Sequence, residues 1–199
     1  MSSFDDHARD WDKNILHVER SLAIAAELEK MIPLNPSMKA LEYGAGTGLM
    51  SFILKDKFAE ITLMDNSIEM INVCLGKVRY YNADHIQPLL FDLEHNDYEG
   101  KFDVIFTQMV LHHVNDVDVI LGKFYSILNP GGYLAIADLF TEDGSFHGPD
   151  VNVHKGFDPE KLAKNLKEKG FKSSDYRTCF EIKRESDKIF PVFLLVTQK

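Results

Sequence analysis

Three glycines, Gly44, Gly46 and Gly48, fall at alternate positions directly after the short apolar run Ala40-Leu41-Glu42-Tyr43, and a helix-period stretch begins at about Leu49. A strand that breaks into such a loop and re-enters as a helix opens a βαβ unit. Its glycines permit a tight turn and let a ligand approach the backbone closely. This feature commits the chain to an α/β sheet. Asp65 follows 19 residues after Gly46, at the close of the next apolar run, Ile61-Thr62-Leu63-Met64. A carboxylate about 20 residues beyond a glycine loop suits a hydrogen bond to a ribose diol.

The loop also separates two ligand classes. The dinucleotide fingerprint is G-x-G-x-x-G, which sets a helix N-terminus against a pyrophosphate. Here the third glycine comes one place early and Leu49 takes the dinucleotide position. Glu42, just ahead of the loop, adds negative charge that opposes a pyrophosphate and suits a ligand carrying an ammonium and a sulfonium.

The rest of the chain keeps the rhythm of short apolar runs and helical periods, with no internal repeat. A first helix is predicted from about Ile15 to Met31, ended by Pro33 and Pro36. Ser67 caps a helix carrying Ile68, Ile71 and Leu75. Pro88-Leu89-Leu90-Phe91 reads as a third strand and Phe102 to Thr107 as a fourth. Val117, Ile120, Leu121, Phe124 and Leu128 form the apolar stripe of the next helix. Asn129-Pro130-Gly131-Gly132 signals a turn before a fifth strand, Tyr133 to Asp138. Asp158-Pro159 opens a last helix that Gly170 stops. Tyr176 to Arg184 and Ile189 to Thr197 are too close together for a parallel crossover, so they form an antiparallel hairpin.

The chain of 199 residues is a comfortable length for one domain. The net charge of −9 is spread along it, without the basic footprint that a nucleic-acid binder needs. Lys161, Lys164, Lys167, Lys169 and Lys172 read as a solvated helix face. The N-terminus is too polar for a leader, and Phe190 to Val196 is too short to span a bilayer. Cys74 and Cys179 have neither metal nor redox spacing, so no metal site is expected. A cytoplasmic protein follows, with no nucleic-acid or membrane partner, acting as monomer or homodimer.

Leu41 to Gly48 resembles, position by position, the first motif of the class I S-adenosylmethionine (SAM)-dependent methyltransferases, E/D-x-G-x-G-x-G. Asp65 matches that family's acidic residue at the end of the second strand, and Phe91-Asp92-Leu93 its third-strand motif. Phe102 to Val114, with Leu111-His112-His113-Val114, resembles the fourth-strand motif of the ubiquinone/menaquinone-biosynthesis-like group. Leu128 to Gly132 resembles the turn before the fifth strand. The resemblance implies a Rossmann-like, seven-stranded, mostly parallel sheet with helices on both faces and an antiparallel strand from the C-terminal hairpin. It implies methyl transfer from SAM to a small-molecule acceptor, releasing S-adenosylhomocysteine (SAH). The organisation expected is an N-terminal helical lid over residues 1–35, a cofactor core over 39–140, a substrate-side loop over 141–157, and a last helix with the hairpin over 158–199. A SAM-binding module without catalysis and an NAD(P)-dependent oxidoreductase remain as alternatives.

The cofactor residues expected from motif and resemblance are Glu42, Gly44, Ala45, Gly46, Gly48, Asp65, Asn66, Asp92, Leu93 and Gln108. Asp65 would hold the ribose hydroxyls, and Asp92 would meet the adenine amino group. Methyl transfer from a sulfonium needs mainly alignment, and a general base only when the nucleophile must lose a proton. Three histidines are candidates for that role, His112, His147 and His154, the last in an H-x-G-F-like element. His112 and His113 are adjacent, so at most one faces the cleft. Trp11, Phe4, His113 and Phe146 are expected around the acceptor. Each histidine also has a plainer role available, in packing or in satisfying loop backbone groups.

Overall fold

The computed structural model of the protein describes residues 5–147, 151–184 and 187–199. Its first regular helix, α1 (Ile15–Met31), is capped by the Asn14 side chain, which accepts from the Leu16 N–H. Ile32, already extended ahead of Pro33, ends it. Then β1 (Lys39–Tyr43), α2 (Leu49–Ile53), β2 (Glu60–Asp65), α3 (Ile68–Tyr81) and β3 (Ile86–Leu90) follow in order. Ser67 caps α3 by accepting from the Met70 N–H. The second half contains β4 (Phe102–Gln108), α4 (Val117–Ile127), β5 (Leu128–Leu139), α5 (Pro159–Glu168), β6 (Asp175–Lys183) and β7 (Ile189–Gln198).

The strands form one seven-stranded sheet in the order β3-β2-β1-β4-β5-β7-β6. β1 to β5 pair in parallel, and β7 inserts antiparallel between β5 and β6. Successive residues of a strand point to opposite faces, so each inner strand feeds two cores. Val104 and Phe106 of β4 join Ala135 and Ala137 of β5 beneath α1, α2 and α3. Ile105, Leu134 and Ile136 pack on the other side against α4 and α5. The chain leaves β1 toward β2 and later returns to β4 on the opposite side. The crevice outside the carboxyl ends of β1 and β4 is therefore the switch point where such sheets bind ligands.

Two expectations need correction. Asn129-Pro130-Gly131-Gly132 does not leave the sheet as a turn but lies within β5. Phe102 pairs with Leu128 and Val104 with Tyr133, so the extra residues form a bulge. The chain's end holds that bulge: Gly131 N–H donates to the Lys199 carbonyl and Gln198 Nε2 to the Gly131 carbonyl. The third strand begins at Ile86, ahead of Pro88, and Pro88 is tolerated because β3 is an edge strand. Among the described residues, no helix is long and apolar enough to cross a membrane.

Gly48 caps α2 at φ +74°, and a Cβ there would stand 2.8 Å from Leu63 Cδ1 of β2. Both the left-handed backbone and the crowding penalise a side chain. Gly48→Ala is expected to lower folding stability by about 1–3 kcal/mol, read from denaturant midpoints without ligand. An unchanged midpoint would refute this packing role.

Candidate active site

The crevice above β1 and β4 is a cavity of about 520 Å³, within the range of small-molecule clefts. One wall is the turn after β1. Gly44 and Gly46 take positive φ, and a Cβ on Gly46 would approach nothing nearer than Met70 Sδ at 3.9 Å. The Gly46 face thus lies open. Behind the turn, Gly46 N–H donates to Asp65 Oδ2 at 2.7 Å and Ala45 N–H to the Met64 carbonyl. Cys74 Sγ donates to the Gly46 carbonyl, and burial pushes this thiol up. In front of it lies the N-terminal segment. Asp12 accepts from Thr47 Oγ1 at 2.5 Å and pairs with Lys77 Nζ at 2.6 Å. Trp11, its ring centre 4.2 Å from that of His17 and tilted by 33°, then lines the cavity.

Gly44, Ala45, Gly46, Asp65, Asn66, Asp92, Leu93 and Gln108 all line this space. Asp65 Oδ1 also accepts from Ser67 N–H, so two strand-end turns orient the carboxylate. Burial raises the Asp92 carboxyl, but the His95 ring and the Glu94 and His95 N–H groups outweigh this and hold it below its ordinary range. Gln108 Oε1 accepts from Ser21 Oγ of α1, which ties the first helix to the end of β4.

Glu42 and Gly48 do not line the cavity, contrary to expectation. Glu42 has the strand parity of Ala40, which sends its side chain beneath the loop toward α2. There it is fully buried, with Oε2 accepting from the N–H and Oγ of Ser51. Its Oε1 has no hydrogen-bond partner among the described residues. Gly48 makes room for Leu63, as described above. His154 is also absent from the cavity. Its Nε2 meets the Val114 carbonyl at 3.0 Å and its N–H the His112 carbonyl at 2.8 Å. It pins the turn that carries the other histidines. Phe4 lies outside the described residues.

His112, His113, Phe146 and His147 converge in the opposite wall, so both adjacent histidines reach the cavity, against the expectation that at most one would. The ring of His112 lies 4.2 Å from that of His113 and 5.0 Å from that of His147. Burial, then the proximity of His112 and His147, pushes His113 down to about 4. His147 is also lowered, by burial and by His112 and Arg184. One nitrogen from each ring lies within 4.8 Å of the others, close enough for the three to share an ion after a modest contraction. Sequence spacing offered no hint of this cluster, because the fold assembles it from two separate loops.

Three further residues of this wall escaped the sequence reading. Asp138, wholly buried at the end of β5, accepts from His112 Nδ1 at 2.6 Å and from the backbone N–H groups of His112 and Leu139. A carboxylate can only accept here, so Nδ1 of His112 carries a proton, which leaves Nε2 as the ring nitrogen not engaged by Asp138. Arg20 lines the cavity from α1 although only 8% exposed. Burial lowers it to about 10, against the favourable field of Asp138. Arg184 places its guanidinium 4.3 Å from the centre of the Phe146 ring. A signal for Arg20 existed: it shares the helical face of Ile24 and Leu28, where a lone arginine breaks an apolar stripe.

The residues at the glycine-loop end fit SAM: an open glycine face, two strand-end carboxylates and an amide-bearing Gln108. This sheet order with such a cleft defines the class of SAM-dependent methyltransferases. The family described as methyltransferase domain matches residues 16–176. An uncharacterized methyltransferase of Schizosaccharomyces pombe is 30% identical over 142 residues, covering 63% of this chain and 50% of the relative. The chain thus spans about half the length of that relative. The methyltransferase in complex with the Trm112 activator of Haloferax volcanii superposes with a TM-score of 0.79 at 15% identity, covering 100% of this chain and 98% of that one. NodS, an N-methyltransferase of Bradyrhizobium japonicum bound to SAH, gives 0.72 at 18% identity, over 94% and 89% of the two chains. The chain belongs to the methyltransferase domain family.

Burial pushes the Glu42 carboxyl up to about 7 from an ordinary value of 4.5, against the lowering pull of Ser51 and Lys77. Between these values the folded state keeps a proton that the unfolded chain has lost, so the contribution of this group to stability, fully present below about 4.5, falls as pH rises and is lost above about 7. Glu42→Gln removes the titrating group. Its melting temperature is expected to exceed that of wild type at pH 8, with the gap closing toward pH 5. Parallel curves of melting temperature against pH would show that Glu42 carries no such linkage.

Proposed function

We propose that this domain transfers the methyl group of SAM to a small-molecule acceptor, releasing SAH, and acts in the cytoplasm as a monomer or homodimer without binding nucleic acid. The observation that carries the reading is the division of one cavity: carboxylates and the glycine turn at one end, the His112–Asp138 pair at the other. A cavity of about 520 Å³ suits a cofactor and a compact acceptor side by side. Residues 5–35, with Trp11 at the cavity and Asp12 on the loop, serve as the lid.

SAM supplies an activated methyl group on a good leaving group. In this reading Asp65 and Asn66 hold the ribose, Asp92 and Leu93 flank the adenine, and Gly44, Ala45, Gly46 and Gln108 take the amino-acid portion. Trp11, His113 and Phe146 enclose the acceptor and exclude water, which preserves the approach geometry on which the rate depends. His112 Nε2 removes the acceptor's O–H or N–H proton. Asp138 holds the ring in the correct tautomer and stabilises the imidazolium as it forms, as carboxylates do in other histidine-dependent sites. His147 stands beside that proton path.

Two experiments test this. Purified protein is heated with SAM, SAH, NADH and NADPH in parallel. SAM and SAH at about 100 times their dissociation constants should each add about 2.7 kcal/mol, visible as a raised melting temperature. Asp65→Ala should abolish the shift. A shift with the nicotinamide nucleotides alone would overturn the assignment.

The second experiment concerns the base. In protein labelled with 15N-histidine, NMR of the ring nitrogens should show His112 protonated on Nδ1. Asp138→Ala should shift that population toward the Nε2 tautomer and, with an acceptor in hand, lower kcat by about 100-fold or more with little change in KM. A ring already protonated on Nε2 in wild type would exclude His112 as the base.

A further inference from the structure

The buried guanidinium of Arg20 is the feature the transfer reaction does not account for. Arg20 is 8% exposed, and no ion pair within 4.0 Å and no hydrogen bond is found for it among the described residues; its Nε is buried without a partner. An arginine taken out of water without an acceptor costs several kcal/mol, so such groups are normally paired. The nearest compensating carboxylate, Asp138, raises the Arg20 pKa through its field, but its oxygens are occupied by the His112 ring and by two backbone N–H groups. Arg184, directly after β6, brings a second guanidinium to the same wall. His147 adds a third donor position, since its Nε2 is also buried without a partner. The other carboxylate near this wall, Glu142, is turned to its own loop, where it accepts from the N–H groups of Gly144 and Phe146.

We propose that this wall, built from α1, the loop after β5 and the end of β6, is an oxyanion site in which Arg20, Arg184 and His147 hold a carboxylate or phosphate group of the methyl acceptor. The proposal rests on the methyl-transfer reading. Two guanidiniums offer fork-shaped donor sets that match the paired oxygens of either group. The anion completes the hydrogen bonds of Arg20, balances the second cation and lays the acceptor's nucleophile beside His112. A divalent metal on the three histidines is the competing occupant. It would bring two positive charges against Arg20 and Arg184 and would take the lone pair that His112 needs as a base, so the electrostatics favour the anion.

The test uses calorimetry on SAH-saturated protein in buffer containing EDTA, titrated with inorganic phosphate, with malonate, and with neutral acetamide. At least one anion should bind and acetamide should not, the preferred anion indicating whether the acceptor carries a tetrahedral or a planar group. Arg20→Met should weaken the anion by about tenfold or more while leaving the dissociation constant of SAH within about threefold. Arg184→Gln, at an exposed position, should weaken it by a smaller factor and carries the test if Arg20→Met does not fold. Without an anion, Arg20→Met should melt at or above the wild-type temperature, because an apolar side chain then fills the stripe of α1.

Three results would overturn the site: no anion binding to SAH-saturated wild type, an Arg20→Met variant that loses SAH and retains the anion, or anion binding seen only when zinc replaces EDTA. The second result would assign Arg20 to the cofactor's own carboxylate, and the third would assign the histidines to a metal. If SAH itself fails to bind, the functional reading fails. If SAH binds and neither anion does, the oxyanion site alone fails.

Discussion

The contact on which the cleft depends is the hydrogen bond from the Gly46 N–H to Asp65, made across the ends of adjacent parallel strands. Parallel pairing brings the turns after β1 and β2 to the same edge of the sheet, and this bond fixes their separation. Gly46 can present its N–H there because its φ of +55° is available to glycine at little cost. Asp65 is restrained in turn by the Ser67 N–H, so one carboxylate organises the loop, the start of α3 and the floor of the cavity. Asp12 then closes the assembly from outside by binding Thr47 and Lys77.

The cavity is electrostatically divided. Asp65, Asp92 and Glu94 lie toward the glycine-loop end, while Arg20, Arg184 and the histidines gather around β5 and β6. A ligand with an ammonium and a sulfonium suits the first environment and an anionic acceptor the second. Such complementarity orients two small molecules end to end before any close contact forms. The net charge of −9 thus coexists with two guanidiniums, Arg20 and Arg184, in one wall of the cavity. Local placement of charge, rather than its sum, decides what this cavity attracts.

The sheet was legible because it rests on patterns that act locally. Apolar runs closed by turn residues, Ser67, Asp158-Pro159 and Gly170 each signal through backbone chemistry within a few residues. The close spacing of β6 and β7 dictated their antiparallel pairing. Where the sequence misled, a tertiary contact had changed the local meaning. Asn129 to Gly132 has the composition of a turn, but its backbone is captured by Gln198 and Lys199, a partnership no local pattern records. Glu42 belongs to the glycine motif by position, while strand parity sends its side chain to Ser51. The glycine-loop end of the cavity was legible because its lining residues, Gly44 to Gly46, Asp65, Asn66, Asp92, Leu93 and Gln108, lie at or just after the ends of strands that local patterns mark. The opposite end of the cavity draws on α1, the turn after β4, the end of β5, the loop beyond it and the end of β6.

The four histidines around this wall show why proximity alone does not define a role. His154 and His112 belong to one hydrogen-bonded unit, since the His154 N–H and ring meet the carbonyls of His112 and Val114. That unit holds the turn after β4 rigid. His112 is fixed from the other side by Asp138, leaving a single ring nitrogen for chemistry. His113 has its charged form suppressed by burial and by its histidine neighbours, which suits an enclosing wall more than a proton carrier. His147 sits between Arg184 and His112, where a cationic imidazole is disfavoured but a neutral one can donate or accept. Burial is the main cause that disfavours charge on both His113 and His147, and at His147 Arg184 acts in the same direction.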